Sequence, residues 1–145
     1  MGRLSCLLFS CVLLGSSLLA GCAASNTPDE PEGTRVEVNF GDRHRCSRIS
    51  PEITVYNPPR GTSYYEVRVS LVGTSPERYI GGGRWVYGGL NSDGADIIPE
   101  GGLLNMYRSP CPSNPSEKTY RYTVYCMSKD SSQPLAISDY LITLE

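Results

Sequence analysis

The stretch YYEVRVSLV, residues 64–72, decides the fold class because polar and apolar side chains alternate along most of its length. The apolar side chains share one face: Tyr65, Val67, Val69 and Leu71. The polar side chains share the other: Glu66, Arg68 and Ser70. A period of two residues is typical of a β-strand with one face buried and the other in solvent. The stretch therefore predicts a strand with an apolar inner face.

The same signal recurs along the chain. RVEVNF (35–40) and TYRYTVYCM (119–127) alternate, EITVY (52–56) is rich in β-branched residues, and AISDYLITLE (136–145) ends in a predicted strand. Turn sequences rich in Asn, Pro and Gly separate these runs, and no amphipathic helix or internal repeat follows the leader. This pattern predicts an all-β or nearly all-β domain, an antiparallel β-sandwich with little or no helix.

The first residues have the features of an export signal. Arg3 precedes an uncharged apolar run that is too short and too serine-rich for a membrane span, which favours a signal peptide over residues 1–21. The run ends in Leu-Ala-Gly-Cys22, which resembles the lipobox of bacterial lipoproteins; an ordinary secretory signal with a chance cysteine is the alternative. We therefore expect lipidation at Cys22, a flexible tether over 22–34 and a domain over 35–145. Ala23 resembles the Gram-negative sorting signal for the outer membrane, so the expected location is the cell envelope, with the lipid anchor in the outer membrane.

Composition argues against several functions. The formal net charge is −2, so the basic excess typical of nucleic-acid binding is missing. His44 is the only histidine and lies among arginines, so we expect it at a solvated strand edge and not in a Ser-His-Asp relay. The acidic residues Asp93, Asp96 and Glu100 are expected on loops. With neither a C-x-x-C pair nor a second histidine, the sequence predicts a non-catalytic protein without metal or cofactor.

The glycine-rich stretch IGGGRWVYGGL, residues 80–90, fails as a nucleotide-binding loop. Val86 stands where the dinucleotide fingerprint needs its third glycine, and no Lys-Ser follows the glycines. What remains is a short β-prone run at 84–87 with glycine at both ends. Trp85, the only tryptophan, is expected in the core.

Read in order, several segments resemble the phosphatidylethanolamine-binding protein (PEBP)-like family. SPEITVYNPPRGTSYYEVRVSL (50–71) resembles the family's Ser-Pro strand start, its Pro-x-Gly-Thr turn and its central strand. RWVYGGL (84–90) is similar to the His-Trp-Val-Val segment, and MYRSPCPSNPSEKTYRYTVYCM (106–127) to the Pro-Cys-Pro loop and the strand after it. The resemblance implies a PEBP-like sandwich in which Arg84 begins an inner strand that points into a small anion pocket.

The family's pocket residues are only partly present. Its acidic Asp-Pro-Asp-x-Pro run corresponds to Val-Gly-Thr-Ser-Pro at 72–76, and its histidines correspond to Arg84 and to Lys118-Thr119. A small anion or phospholipid headgroup held by Arg84, Lys118, Tyr107 and Tyr120 is therefore one expected function. The alternative is a vestigial pocket on a module that contacts another envelope protein.

Three cysteines remain after processing, which suggests one disulfide and one buried thiol. Cys126 shares the apolar face of its strand, where a free thiol behaves as a small hydrophobe. The family resemblance favours a Cys46–Cys111 pair, and a local Cys111–Cys126 bridge is the alternative.

Overall fold

The computed structural model describes residues 33–104, 106–114 and 118–145. The predicted signal peptide, the lipidation site Cys22 and the tether up to residue 32 lie outside the described residues.

Seven β-strands and one short 3₁₀ turn form the regular structure of the described residues. The strands are β1 Arg35–Asn39, β2 Glu52–Tyr56, β3 Tyr64–Leu71, β4 Arg78–Val86, β5 Ala95–Ile98, β6 Thr119–Met127 and β7 Pro134–Thr143. The 3₁₀ turn spans Asp42–His44. The predicted, nearly all-β class is confirmed.

The strands form two antiparallel sheets. One has the order β1-β2-β5 and the other β4-β3-β6-β7. The alternation of β3 is confirmed, because its four predicted apolar side chains are almost fully buried while Arg68 is exposed. Val67 pairs with Val124 of β6, and both face the second sheet. The shared core between the sheets includes Ile53, Val55 and Ile98 from the smaller sheet.

Two strands differ from the sequence-based expectation. β4 spans nine residues and contains the whole Gly81–Gly83 run, whereas the sequence predicts only a short run from Arg84. β4 is also an edge strand, so the expectation of an inner strand at Arg84 is wrong. β5 was not predicted at all. Asp96, expected on a loop, is a buried residue of β5 whose carboxylate accepts hydrogen bonds from the Gly88 and Ile97 amides, both at 2.9 Å.

The cysteine pairing is confirmed. Cys46 and Cys111 form a disulfide with Cα atoms 4.5 Å apart, and Cys126 is free and fully buried. The amide of Cys46 donates to the Pro110 carbonyl at 3.0 Å, so backbone contact reinforces the covalent link.

The expected position of His44 is wrong, because the side chain is buried and not at a solvated edge. Its Nδ1 accepts a hydrogen bond from the Gly41 amide at 2.9 Å. Nε2 lies 3.3 Å from an oxygen of Glu100, and the ring packs against Phe40. The imidazole therefore joins the 3₁₀ turn to the segment after β5.

Candidate functional site

The two tyrosines expected at the ligand site are buried. Tyr107 is 5% exposed and Tyr120 is 2% exposed. The Tyr107 hydroxyl lies 2.8 Å from that of Tyr122 in the core, and burial raises the pKa of both phenols. Tyr107 thus fastens the segment after β5 to β6. Neither tyrosine lines the cavities described below.

Lys118 and Arg84 lie at different ends of the larger sheet. Arg84 aligns with Glu66 of β3, which aligns in turn with Tyr125 of β6, seven positions after Lys118. At about 3.3 Å per strand residue, this is roughly 23 Å along the sheet. Lys118 lines a separate cavity of about 330 Å³ with Arg45. The structure therefore does not bring the four expected ligand residues together in one pocket.

Arg84 takes part in a charged cluster on the outer face of the larger sheet. Its Nη2 lies 3.4 Å from Glu66, and Arg68 donates to the same carboxylate at 2.7 and 3.0 Å. These contacts, those of Arg68 first, hold the pKa of Glu66 below its ordinary value. The Arg84 side chain is 70% exposed and its guanidinium lies 5.4 Å from the centre of the Tyr64 ring. Two cations share one carboxylate, so the cluster carries a local positive charge.

A groove opens beside Arg84, from the outer face of β3 and β4 to the chain around Leu104 and Met106. Its volume is about 810 Å³. We call it the β4 groove; its lining residues are Arg84, Trp85 and Val86 of β4, Glu66, Val67 and Arg68 of β3, and Tyr79, Gly83, Gly102, Leu104 and Met106. Val86, Leu104 and Met106 are 72%, 69% and 66% exposed, although they are apolar. Apolar side chains grouped in this way are typical of an interaction site.

The glycines of β4 explain how the groove is built. A Cβ on Gly81 would lie 2.6 Å from the Arg108 amide nitrogen and 2.8 Å from the Met106 carbonyl oxygen. Only glycine permits this close approach of two backbones. The amide of Gly82 donates to the Met106 carbonyl at 3.2 Å. The glycine run thus docks the chain around Met106 against β4, and it does not cradle a phosphate.

A second cavity of about 730 Å³ lies on the other side of Arg84. It shares Arg84, Trp85 and Val86 with the β4 groove and is completed by Ser63, Tyr64 and residues 128–132. Trp85 is partly buried against the core, in line with its expected structural role. The Arg84 side chain therefore stands between two neighbouring depressions.

Groupings suited to metal binding are not found among the described residues. None of their His, Cys, Asp and Glu side chains form a cluster of three or more. The hydroxyl of Ser109 donates to the backbone carbonyl of His44, so these two residues do not form a nucleophile–base pair. In the same part of the chain, no helix is long and apolar enough to cross a bilayer.

Fold and site together define an antiparallel β-sandwich with an open, partly apolar groove at one sheet edge. Comparison with protein-family models, curated proteins and solved structures finds no match. The PEBP-like resemblance therefore stays a prediction that depends on the sequence segments alone.

Sequence reasoning missed most of the groove. The sequence placed Glu66 and Arg68 on the polar face of β3. Their proximity to Arg84 follows only from the pairing register of β3 and β4. Leu104 and Met106 follow Gly101-Gly102 without any periodic pattern. Two large apolar residues in a glycine-rich connection were the one available signal.

Proposed function

We propose that this chain is an envelope lipoprotein whose sandwich is a non-catalytic interaction module, binding another envelope protein at the β4 groove. One observation carries the proposal: exposed apolar walls lie beside two guanidinium groups that share a single carboxylate. Such a surface suits a protein segment that combines apolar side chains with a negative charge.

Energetics favour a protein ligand over a small anion. Arg84 is highly exposed, and an ion pair in that setting contributes about 0–1 kcal/mol. Micromolar affinity needs about 8 kcal/mol, which a lone anion on Arg84 does not reach. Covering the side chains of Val86, Leu104 and Met106 contributes about 1.5–3 kcal/mol for each fully buried group. The apolar walls therefore supply most of the expected affinity, and the arginines supply orientation.

Lipidation at Cys22 and a PEBP-like ancestry of the scaffold belong to the same proposal. The lipobox-like sequence and the acidic, proline-containing tether support a domain held near the membrane. Cys22→Ser should leave the protein unprocessed or soluble, and intact wild-type protein should partition into detergent with the mass of an acylated cysteine. Wild-type protein found free in the periplasm would refute the anchor without affecting the groove.

Photocrosslinking in intact cells tests the interaction. A photoreactive amino acid at Leu104 or Val86 should give a discrete crosslinked product that Arg84→Glu weakens. The control position is Leu141, which is apolar and 55% exposed on β7, the opposite edge strand of the same sheet. Equal crosslinking at Leu141 would contradict a specific interface at the groove.

A thermal-shift measurement separates the small-anion alternative. Inorganic phosphate and phosphoethanolamine should not raise the melting temperature of the wild type more than that of Arg84→Gln. Arg60→Gln, at an exposed arginine in the turn before β3, is the matched control. A phosphate-dependent rise that only Arg84→Gln abolishes would favour anion binding over the proposed interaction.

A further inference from the structure

We infer that the β4 groove binds its partner by β-strand addition: an extended, acidic segment pairs with the open backbone of Arg84 and Val86. The inference rests on the proposed function and specifies the kind of partner. Among the described residues β4 is an edge strand, and one of its long sides has no neighbouring strand. An unpaired strand edge is a template for another extended chain.

Strand geometry identifies which backbone groups point outward. The amide of Tyr87 donates to Ser63 at 3.1 Å, so Tyr87 faces β3. Orientation alternates along an antiparallel strand, and the outward amides are therefore those at even positions. The Gly82 amide confirms this alternation, because it donates away from β3 to Met106.

Both ends of this outward row already have partners. Gly82 donates to the Met106 carbonyl, and the Gly88 amide donates to the buried Asp96 carboxylate at 2.9 Å. Between them, Arg84 and Val86 have no outward backbone partner among the described residues. The β4 groove lies directly against these two positions. The open edge is therefore short. It begins directly after Gly82, whose outward amide is already bonded to the Met106 carbonyl.

The shape of the edge favours a single extended segment over a second copy of the chain. Leu104 and Met106 project beside the open positions and remain exposed. The chain at Met106 already occupies the edge at Gly82, so an added segment is confined to the short stretch at Arg84 and Val86, which suits one peptide strand better than a whole second sheet. Alternate side chains of such a strand would face Arg84 and Arg68 on the outer side and Leu104 and Met106 on the other.

Charge indicates an acidic strand. Glu66 is shared by Arg84 and Arg68, whose side chains are 70% and 53% exposed. The Arg84 guanidinium lies 3.4 Å from the Glu66 carboxylate, which holds it less closely than it holds Arg68. A carboxylate on the added strand would therefore pair with Arg84. The chain's own tether is acidic, but Pro28 and Pro31 lack the amides that strand pairing needs.

A capped eight-residue peptide of alternating Val and Glu is the probe, added to the full-length protein in detergent. By NMR hydrogen exchange, saturating peptide should slow exchange of the Arg84 and Val86 amides at least tenfold and leave the exposed edge of β7 unchanged. A peptide N-methylated at alternate residues keeps its side chains but loses the N–H donors along one of its edges. It should bind at least tenfold more weakly. A Val-Lys peptide should be weakened by a similar factor.

Several results would overturn the inference. Equal affinity for the N-methylated peptide would mean that side chains alone are recognised, and unchanged exchange at Arg84 and Val86 would mean that no strand is added. If crosslinking at Leu104 persists in either case, the interaction module stands and only β-addition fails. Concentration-dependent dimers in sedimentation velocity, with the same amides protected, would assign the edge to a second copy. The Arg84 and Val86 amides could also be protected without any peptide. If Asp29→Gln, Glu30→Gln and Glu32→Gln together remove that protection, the occupant of the edge is the tether.

Discussion

Replacing Cys46 and Cys111 together by alanine should lower the free energy of unfolding by about 4 kcal/mol. The disulfide links residues 65 positions apart. The chain-entropy relation for a closed loop of that length gives about 14 cal/mol/K, or roughly 4 kcal/mol at 25 °C. A single domain is typically stable by about 5–15 kcal/mol, so the double variant should be close to the limit of folding.

The native fold itself should survive the substitution because other contacts hold the same segments together. The Cys46 amide bonds the Pro110 carbonyl, the Ser109 hydroxyl donates to His44, and Tyr107 bonds Tyr122. These contacts persist without the covalent link. The loss should therefore come mainly from a freer unfolded chain and not from a rearranged native state.

Urea denaturation of the full-length protein in detergent, followed by Trp85 fluorescence, measures the effect because Trp85 is the only tryptophan. The midpoint should fall strongly in the double variant, and a reducing agent should move the wild type toward the same midpoint. Cys126→Ala is the control, since it removes a cysteine but leaves the bridge, and it should cost only about 1–2 kcal/mol. A double variant within 1 kcal/mol of the wild type would refute the loop-entropy argument.

Three further predictions concern the core and the groove. Gly81→Ala should destabilise the protein and perturb the β4 groove because the new Cβ meets backbone at 2.6 Å, whereas Gly41→Ala meets no atom within 4 Å and should be neutral or slightly stabilising in thermal denaturation. Tyr107→Phe should cost about 1–3 kcal/mol by leaving the Tyr122 hydroxyl without this partner, and the double Phe variant should cost less than the sum of the two single changes in a double-mutant cycle. Burial raises the pKa of Cys126 from 9.0 to about 11, so the unfolded thiol ionises first and stability, full below about pH 9, should fall as pH rises toward 11. Cys126→Ala should reduce that slope in urea titrations from pH 8 to 11, and an unchanged slope would contradict the assignment.

The sequence predicted those elements whose side chains alternate. β3 and β6 each present a continuous apolar face, and Val67 and Val124 are buried as expected. β4 was underpredicted because three consecutive glycines carry no side-chain periodicity. β5 is four residues long and places the charged Asp96 inside, which is opposite to the polarity rule.

The site was harder to predict than the fold because alternation does not encode strand order. Arg84 was singled out by its position beside the glycines and Trp85, and its placement on an inner strand came from the family resemblance. In the structure β4 is an edge strand, and Arg84 pairs with Glu66 on the outer face of the sheet, several residues along the strands from Lys118. His44 shows a related limit. Its arginine neighbours in the sequence predicted a solvent-exposed side chain, but Gly41, Phe40 and Glu100 contact the imidazole ring.

The contacts that stabilise the sandwich also fix the shape of the β4 groove. The chain bearing Leu104 and Met106 is joined to β4 through Gly82, while just beyond it Tyr107 is bonded to β6 and Cys111 is linked to Cys46. Folding thus orders this wall of the groove before any partner arrives, so binding does not bear that entropic cost. Reduction of the disulfide should therefore weaken binding of the Val-Glu peptide even where the domain remains folded. If affinity is the same in the reduced, folded protein, the backbone contacts at Gly82 and Tyr107 alone are sufficient to hold the wall in place.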